Sequence, residues 1–145
     1  MSAAISIYNP AELGAPLGQY RHVARVKANE LLFIAGMVAV DVNGQLVGEG
    51  DFEAQAAQVF DNIHTALRSA GADWGNIVQF TTYLVHSQDL PRFMDFRLRA
   101  FPKMFRNAIY PPNTLLIVDR PDYPGLIVGQ ALALVSHDAS AVAAR

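Results

Sequence analysis

The segment from Asp51 to Gly71 constrains the fold more than any other part of this chain. Its apolar residues recur at spacings of three and four, the pattern of an α-helix with one buried face. Asp51 is a suitable N-cap, Glu53 adds a negative charge to the first turn, and Gly71 fits the position just beyond a helix end. The buried face is predicted to contain Ala56, Val59, Phe60, Ile63, Ala66, Leu67 and Ala70. Such a helix must pack against a sheet or against other helices.

Strand segments surround this helix. Val, Ile, Thr and aromatic residues concentrate in short runs bounded by Gly, Pro, Asn and Asp, as is typical of strands. Asn29-Glu30 predicts a tight turn, and Asn43-Gly44 predicts a hairpin turn. The predicted strand segments are 23–26, 31–36, a hairpin over 38–47, 77–85, 113–118 and 126–135.

A second helix is predicted between Asp89 and Pro102. Asp89 serves as the cap, Pro91 lies in the first turn, and Pro102 is expected to end the helix. Its predicted apolar side contains Leu90, Phe93, Met94, Leu98 and Phe101. The element order is then β-β-β-α-β-α-β-β.

This order predicts an α+β fold, with a mixed sheet and both helices on one face. The other face would be apolar and uncovered, so we expect oligomerisation to cover it. Residues 1–136 are predicted to form a single domain, and residues 137–145, which are small and polar, a disordered tail.

Composition excludes several classes of function. The chain has a net charge of −2 and no Lys/Arg runs, which argues against nucleic-acid or membrane partners. It has no cysteine, and its four histidines lack metal-ligand spacing, so no metal site is expected. Glycine patterns typical of nucleotide cofactors are absent, and no cofactor is predicted. With no leader peptide and no membrane span in the sequence, a cytoplasmic location is expected.

Several local signatures, in this order and spacing, resemble the Rid family of reactive-intermediate deaminases (YjgF-like). Leu32 to Met37 resembles the family's strand that ends in Ser-Gly-Gln, and residues 43–47 resemble its hairpin. Residues 54–63 resemble its first helix, residues 70–84 the following turn and strand, and Phe101-Pro102 the end of its second helix. The resemblance covers about Tyr20 to Val135. It implies a chorismate-mutase-like protomer, a homotrimer around a barrel-like core, and small-molecule clefts between subunits.

The resemblance also locates a deficit in the expected site. Family members that hydrolyse 2-imino or 2-enamino acids carry Pro-Ala-Arg-Ser before the penultimate strand, where the arginine grips the substrate carboxylate. Here the matching stretch runs from Pro111 to Thr114, and Asn113 replaces the arginine. An amide forms hydrogen bonds but supplies no charge. The family's last strand carries an acidic Glu-Ile-Glu-Ala pattern, and the matching residues here, Val128-Gly129-Gln130-Ala131, are not acidic. Ala35 replaces the family's serine, and Met94 replaces the asparagine of its second helix.

Several residues are therefore candidates for a rebuilt site. Asn113, Gln130 and Tyr20 are the candidate catalytic residues, because an amide can hold water and a phenol can bond a carbonyl or imine nitrogen. The candidate substrate-binding residues are Ala35, Gly36, Met94, Thr114 and Arg120. Hydrolytic deamination of an enamine or imine is the leading interpretation. A non-catalytic ligand-binding homotrimer and a purely structural cleft remain as alternatives.

Overall fold

The computed structural model describes residues 4–27, 30–119 and 124–135. Its strands and helices, in chain order, are β1 (Ile5–Tyr8), β2 (Val23–Val26), β3 (Glu30–Met37), α1 (Phe52–Ser69), β4 (Ile77–Leu84), α2 (Leu90–Met104), β5 (Asn113–Ile117) and β6 (Ile127–Val135). The predicted tail and the turn residue Asn29 lie outside the described residues, as does Arg120.

The main sheet has the strand order β3-β6-β4-β5. Strands β4 and β5 pair in parallel, and the other neighbours pair antiparallel, so the sheet is mixed as expected. Both helices pack on one face of it, and the α+β fold predicted from the element order is confirmed. A second, two-stranded sheet of β1 and β2 packs on the opposite face, where Ile5 and Ile7 contact the buried Val78 and Leu134.

Aromatic side chains fill the space between the helices and the sheet. The Phe60 ring of α1 lies 5.7 Å from Phe80 of β4, and 5.4 Å and 5.6 Å from Phe96 and Phe101 of α2. Such edge-to-face and tilted contacts add to the hydrophobic gain from burial. Helix α1 comes so close to β6 that a Cβ on Gly129 would stand 2.9 Å from Val59 Cγ1. The helices therefore cover this face of the sheet.

The ends of α1 follow the sequence prediction. Asp51 Oδ1 accepts a hydrogen bond from Ala54 N at 3.2 Å, and Gly71 adopts a φ of +74° just beyond the helix. The predicted hairpin over 38–47 is only partly correct. Its turn forms with Gly44 at φ +76°, but the flanking residues make a single bridge from Val40 to Leu46. The side-chain amide of Asn62 bonds the carbonyls of Val38 and Val40 at 3.0 and 2.9 Å, which takes these groups away from a ladder.

Two predictions about α2 were wrong. Pro102 lies inside the helix, which continues to Met104, because burial of Phe101 and Phe105 holds the last turn against the core. Leu90 and Leu98, both predicted on the apolar side, are 39% and 60% exposed instead of buried. The side that faces the core contains Phe93, Phe96, Arg97 and Phe101.

Gln55 ties the start of α1 to the start of β6. Its side chain is fully buried, donates to Gly48 O at 3.0 Å and accepts from Leu126 N at 2.8 Å. Replacing it with leucine would leave Leu126 N without its acceptor, whereas Gly48 O would keep its bond from Asp51 N. We expect Gln55→Leu to lower the free energy of unfolding by about 1–3 kcal/mol. Urea denaturation would measure this, with the exposed Gln45→Leu as a control expected to be near neutral; equal stability of the two variants would contradict the anchoring role.

Candidate functional site

Asn113 begins strand β5 on the face covered by the helices. Its register partner is the buried Phe80, and its Oδ1 accepts a 2.9 Å hydrogen bond from the Thr82 hydroxyl. The backbone N–H of Arg21 donates to Tyr110 O at 3.1 Å, so the segment that carries Tyr20 runs beside the segment that leads to Asn113. The Tyr20 hydroxyl accepts from Leu17 N at 3.2 Å. Tyr20 and Asn113 thus belong to adjoining segments at one edge of the sheet.

Gln130 lies on the opposite face. It pairs with Thr81 in the ladder, and its Oε1 accepts a 3.4 Å hydrogen bond from the Tyr83 hydroxyl. Because successive strand residues alternate between faces, Gln130 and Asn113 point away from each other through the sheet. The structure therefore does not bring together all three candidate catalytic residues within one protomer.

The face opposite the helices was expected to be uncovered, but β1 and β2 cover the part of it around Val78 and Leu134. We call the remaining part, which carries Phe33, Gln79, Thr81 and Gln130, the open face. A shallow depression of about 230 Å³ lies there. Phe33 is 75% exposed at its edge. Thr114 is the register partner of Thr81, so Thr114, Thr81 and Gln130 form a polar row across three adjacent strands. The face combines a polar row with exposed apolar side chains, which suits contact with another subunit and a small ligand.

Ala35 and Gly36 occupy an irregularity in β3, where the register with β6 shifts between Ile34 and Met37. Both are exposed, and a Cβ on Gly36 would stand 2.9 Å from Val128 Cγ1. This bulge leaves backbone groups without regular ladder partners at an exposed edge strand, as is common beside binding sites. Arg120, the remaining candidate, falls outside the described ranges.

Sequence reasoning missed the most unusual polar residue of the chain. Arg97 of α2 is only 3% exposed, and its Nε and Nη1 atoms have no hydrogen-bond partner among the described residues. Its Nη2 atom lies 2.9 Å from Met94 Sδ, a weak acceptor, and its guanidinium stands 4.9 Å from the centre of the Phe93 ring. Buried charges are normally paired, so this arginine requires an explanation.

We call the surroundings of this side chain the arginine niche, formed by Gly18, Tyr20, Phe93, Met94 and Arg97. A Cβ on Gly18 would stand 2.9 Å from Arg97 Nη2. Burial lowers the pKa of Arg97 to about 10, and the nearby Tyr20 offsets part of that shift. The guanidinium therefore keeps its charge at neutral pH, and the niche encloses a buried positive charge.

The signal for Arg97 was present in the sequence. Phe93, Phe96, Arg97 and Phe101 follow the spacings of three and four that mark one helix face. The prediction took Phe93 and Phe101 from this face but joined them to Leu90, Met94 and Leu98, a stripe of the same period without a charge, and so left out Arg97. Met94, predicted from the family comparison, does lie in the niche, where it contacts Arg97.

No group of three His, Asp or Glu side chains among the described residues is arranged to hold a metal ion. Within the same residues, no helix has the length and apolar character needed to cross a membrane. His64 is partly exposed, stacks on Trp74 and lies 2.9 Å from Asp73 Oδ1.

Comparison with known proteins gives one consistent family. Residues 12–124 match the family model described as Endoribonuclease L-PSP. RutC family protein slr0709 of Synechocystis is 37% identical over 86 residues, which cover 59% of this chain and 65% of that protein. The chloroplastic Reactive Intermediate Deaminase A of Arabidopsis thaliana is 32% identical over 89 residues, covering 61% of this chain and 46% of that protein. The matches therefore span less than two thirds of either relative.

A solved structure agrees over nearly the whole chain. The crystal structure of YyfB from Yersinia pestis, a protein of unknown function from the conserved Rid family, has a TM-score of 0.80 and 30% sequence identity. The superposition covers 91% of this chain and 99% of that one. Fold and sequence thus indicate the same family.

Proposed function

The chain belongs to the Rid family, matched as Endoribonuclease L-PSP, and from that membership we propose that it hydrolyses a small enamine or imine in clefts between subunits. The relative named as a reactive intermediate deaminase supports this reaction type. The proposed assembly is the homotrimer that the family resemblance implies, the proposed ligand is a small metabolite, and the proposed location is the cytoplasm.

One observation supports a cleft between subunits. Asn113 and Gln130 project from opposite faces of the same sheet, so they meet only if the open face of one protomer lies against the edge of another. The exposed Phe33 and Leu116, at 75% and 48%, mark the surface that such packing would bury. Tyr20 and Asn113 of one subunit would then face Gln130 of a neighbour.

The chemistry suits this limited set of groups. Hydrolysis adds water to the C=N bond, and collapse of the resulting aminol releases ammonia and leaves a carbonyl product. A protonated imine is already electrophilic, so the water needs positioning more than it needs a strong base. The Gln130 amide can orient that water, and the Tyr20 hydroxyl can donate to the developing oxygen or nitrogen.

Ammonia release tests the proposal. Imino acids generated in situ by an amino-acid oxidase, and imines without a carboxylate, would be offered to the purified protein. The rate of ammonia release is expected to exceed the spontaneous rate for at least one of them. Saturable ligand binding with no acceleration on either set would favour the alternative, a trimer that binds small molecules without turnover.

We do not extend ribonuclease activity to this chain. Cleavage of RNA requires attraction to a polyanion, whereas the net charge is −2 and the sequence lacks Lys/Arg runs.

Restoring the family's arginine at position 113 should not by itself create an efficient imino-acid hydrolase. Asn113 is held by Thr82 on the half-buried, helix-covered face, and Asn113→Arg would change that contact while leaving Gln130 without an acidic character. We expect ammonia release from imino acids to change by no more than a few-fold. Val42→Arg, which adds the same charge at a fully exposed position of the 41–44 turn, is the matched control. A tenfold or larger gain in Asn113→Arg alone would show that one missing charge was the whole deficit.

A further inference from the structure

We propose that Arg97 is the anion anchor of this site, and that its guanidinium binds the carboxylate of the ligand in the arginine niche. The inference deepens the proposed function, on which it rests for the ligand's identity as a 2-imino acid or its 2-oxo acid product. In this chain the positive charge is carried by helix α2, in place of the strand position now occupied by Asn113.

Unmet hydrogen bonds give the first argument. Within residues 4–27, 30–119 and 124–135, Arg97 Nε and Nη1 have no hydrogen-bond partner, and Nη2 bonds only the thioether of Met94. Nε and Nη1 lie on different edges of the guanidinium fork, and each shares its edge with Nη2. A carboxylate that approached either edge would therefore form two parallel bonds, displacing only a weak sulfur contact.

Neighbouring residues give the second argument. Gly18 has no side chain, and a Cβ there would stand 2.9 Å from Nη2, so only backbone separates the guanidinium from the outside on this side. The neighbouring Leu17 has an 88% exposed side chain, and its N–H donates to the Tyr20 hydroxyl at 3.2 Å. Because the Leu17 side chain is not packed in the interior, this short segment can move to admit a small ligand more readily than the core can.

A purely structural role accounts poorly for these contacts. The favourable partners of the charge among the described residues are weak ones: the Phe93 ring, the Met94 thioether and the nearby Tyr20. A ring face compensates a buried guanidinium only in part. Other arginines of α2 have strong partners: Arg92 pairs with Asp89 at 2.6 Å, and Arg99 pairs with Glu53 at 2.7 Å. Arg97 alone faces inward with donors left over, which is the arrangement expected of a residue that awaits an anionic ligand.

The position of the niche links it to the proposed cleft. Tyr20 belongs to both the niche and the candidate catalytic set. Arg97 lies one helical turn before Phe101, whose ring is 6.0 Å from that of Tyr110, three residues before Asn113. An anion held by Arg97 would therefore place the rest of a small ligand near Tyr20, where the C=N group has to react.

Calorimetric titration with pyruvate and 2-oxobutyrate, and with their neutral amides, tests the proposal. The wild-type protein is expected to bind the acids at least tenfold more tightly than the amides. Arg97→Met should lose at least tenfold in affinity for the acids and little for the amides. Arg97→Lys keeps the charge without the fork and should give an intermediate loss. Arg99→Met, which removes an exposed arginine of the same helix, should bind as the wild type does.

Three results would overturn the assignment: wild-type protein that binds neither acid, equal affinity for acids and amides, or unchanged acid affinity in Arg97→Met. Failure of the proposed function is separate from these. Tight, Arg97-dependent acid binding without ammonia release would leave the anchor in place and reject catalysis. Imino-acid hydrolysis with the same kcat/KM in wild type and Arg97→Met would reject the anchor and keep catalysis.

Discussion

The Arg97→Met variant is expected to be more stable than the wild type in the absence of ligand, with a free energy of unfolding higher by about 1–4 kcal/mol. Arg97 is buried with two unpartnered donor atoms, and folding lowers its pKa to about 10. A group whose pKa falls on folding opposes folding at every pH below that value, because the unfolded chain solvates its charge better. Methionine fills a similar volume without any charge to desolvate.

Thermal or urea unfolding of both proteins at neutral pH measures this difference. Arg99→Met is the control, since it removes an exposed, ion-paired arginine from the same helix and should not stabilise the protein. A gain in stability coupled to a loss of acid binding is the signature of a site residue kept at a cost to the fold. If Arg97→Met were instead destabilised, Arg97 would be a structural residue whose partners outweigh its desolvation.

Phe33→Asp is expected to dissociate the assembly and to bring ammonia release down to the spontaneous rate. Phe33 is 75% exposed on the open face of a single protomer, whereas the proposed trimer buries it. Each buried phenylalanine contributes about 1.5–3 kcal/mol, and an aspartate at the same place would add an unpaired charge to the interface. The effect is repeated at every interface of a symmetric oligomer.

Light scattering at micromolar concentration would follow the mass, and circular dichroism would confirm that the protomer stays folded. Val42→Asp is the matched control, because Val42 is 99% exposed on the 41–44 turn and belongs to no strand of the sheet. That variant should keep the mass and the activity of the wild type. A Phe33→Asp protein with unchanged mass would place the subunit interface elsewhere on the surface.

Local signals explain which parts of the fold could be predicted. The caps and the buried face of α1 depend on residues of that segment alone, and β2 has the predicted bounds. Strand β1 was missed because four alternating residues form a strand only when β2 pairs with them and the main sheet buries Ile5 and Ile7. The hairpin after β3 was predicted to be more regular than it is, because Asn62, distant in sequence, bonds the carbonyls that a ladder would use.

The candidate site shows the same division. The family comparison identified the loss of charge at Asn113 from the sequence alone, because that deficit is a matter of residue type. The inward position of Arg97 depends on which of two helical stripes faces the sheet, and Phe96 and Phe60 decide that through tertiary packing. Likewise, only the register of β4 with β5 and β6 shows that Asn113 and Gln130 lie on opposite faces.

A crystal structure of the wild-type protein with bound 2-oxobutyrate tests the central claim most directly. The account predicts an assembly in which the ligand carboxylate forms two hydrogen bonds with the Arg97 guanidinium, near Tyr20, with Gln130 of a neighbouring subunit on the other side of the ligand. A ligand held at Asn113 or elsewhere in the cleft, with the donors of Arg97 still unpartnered, would contradict it.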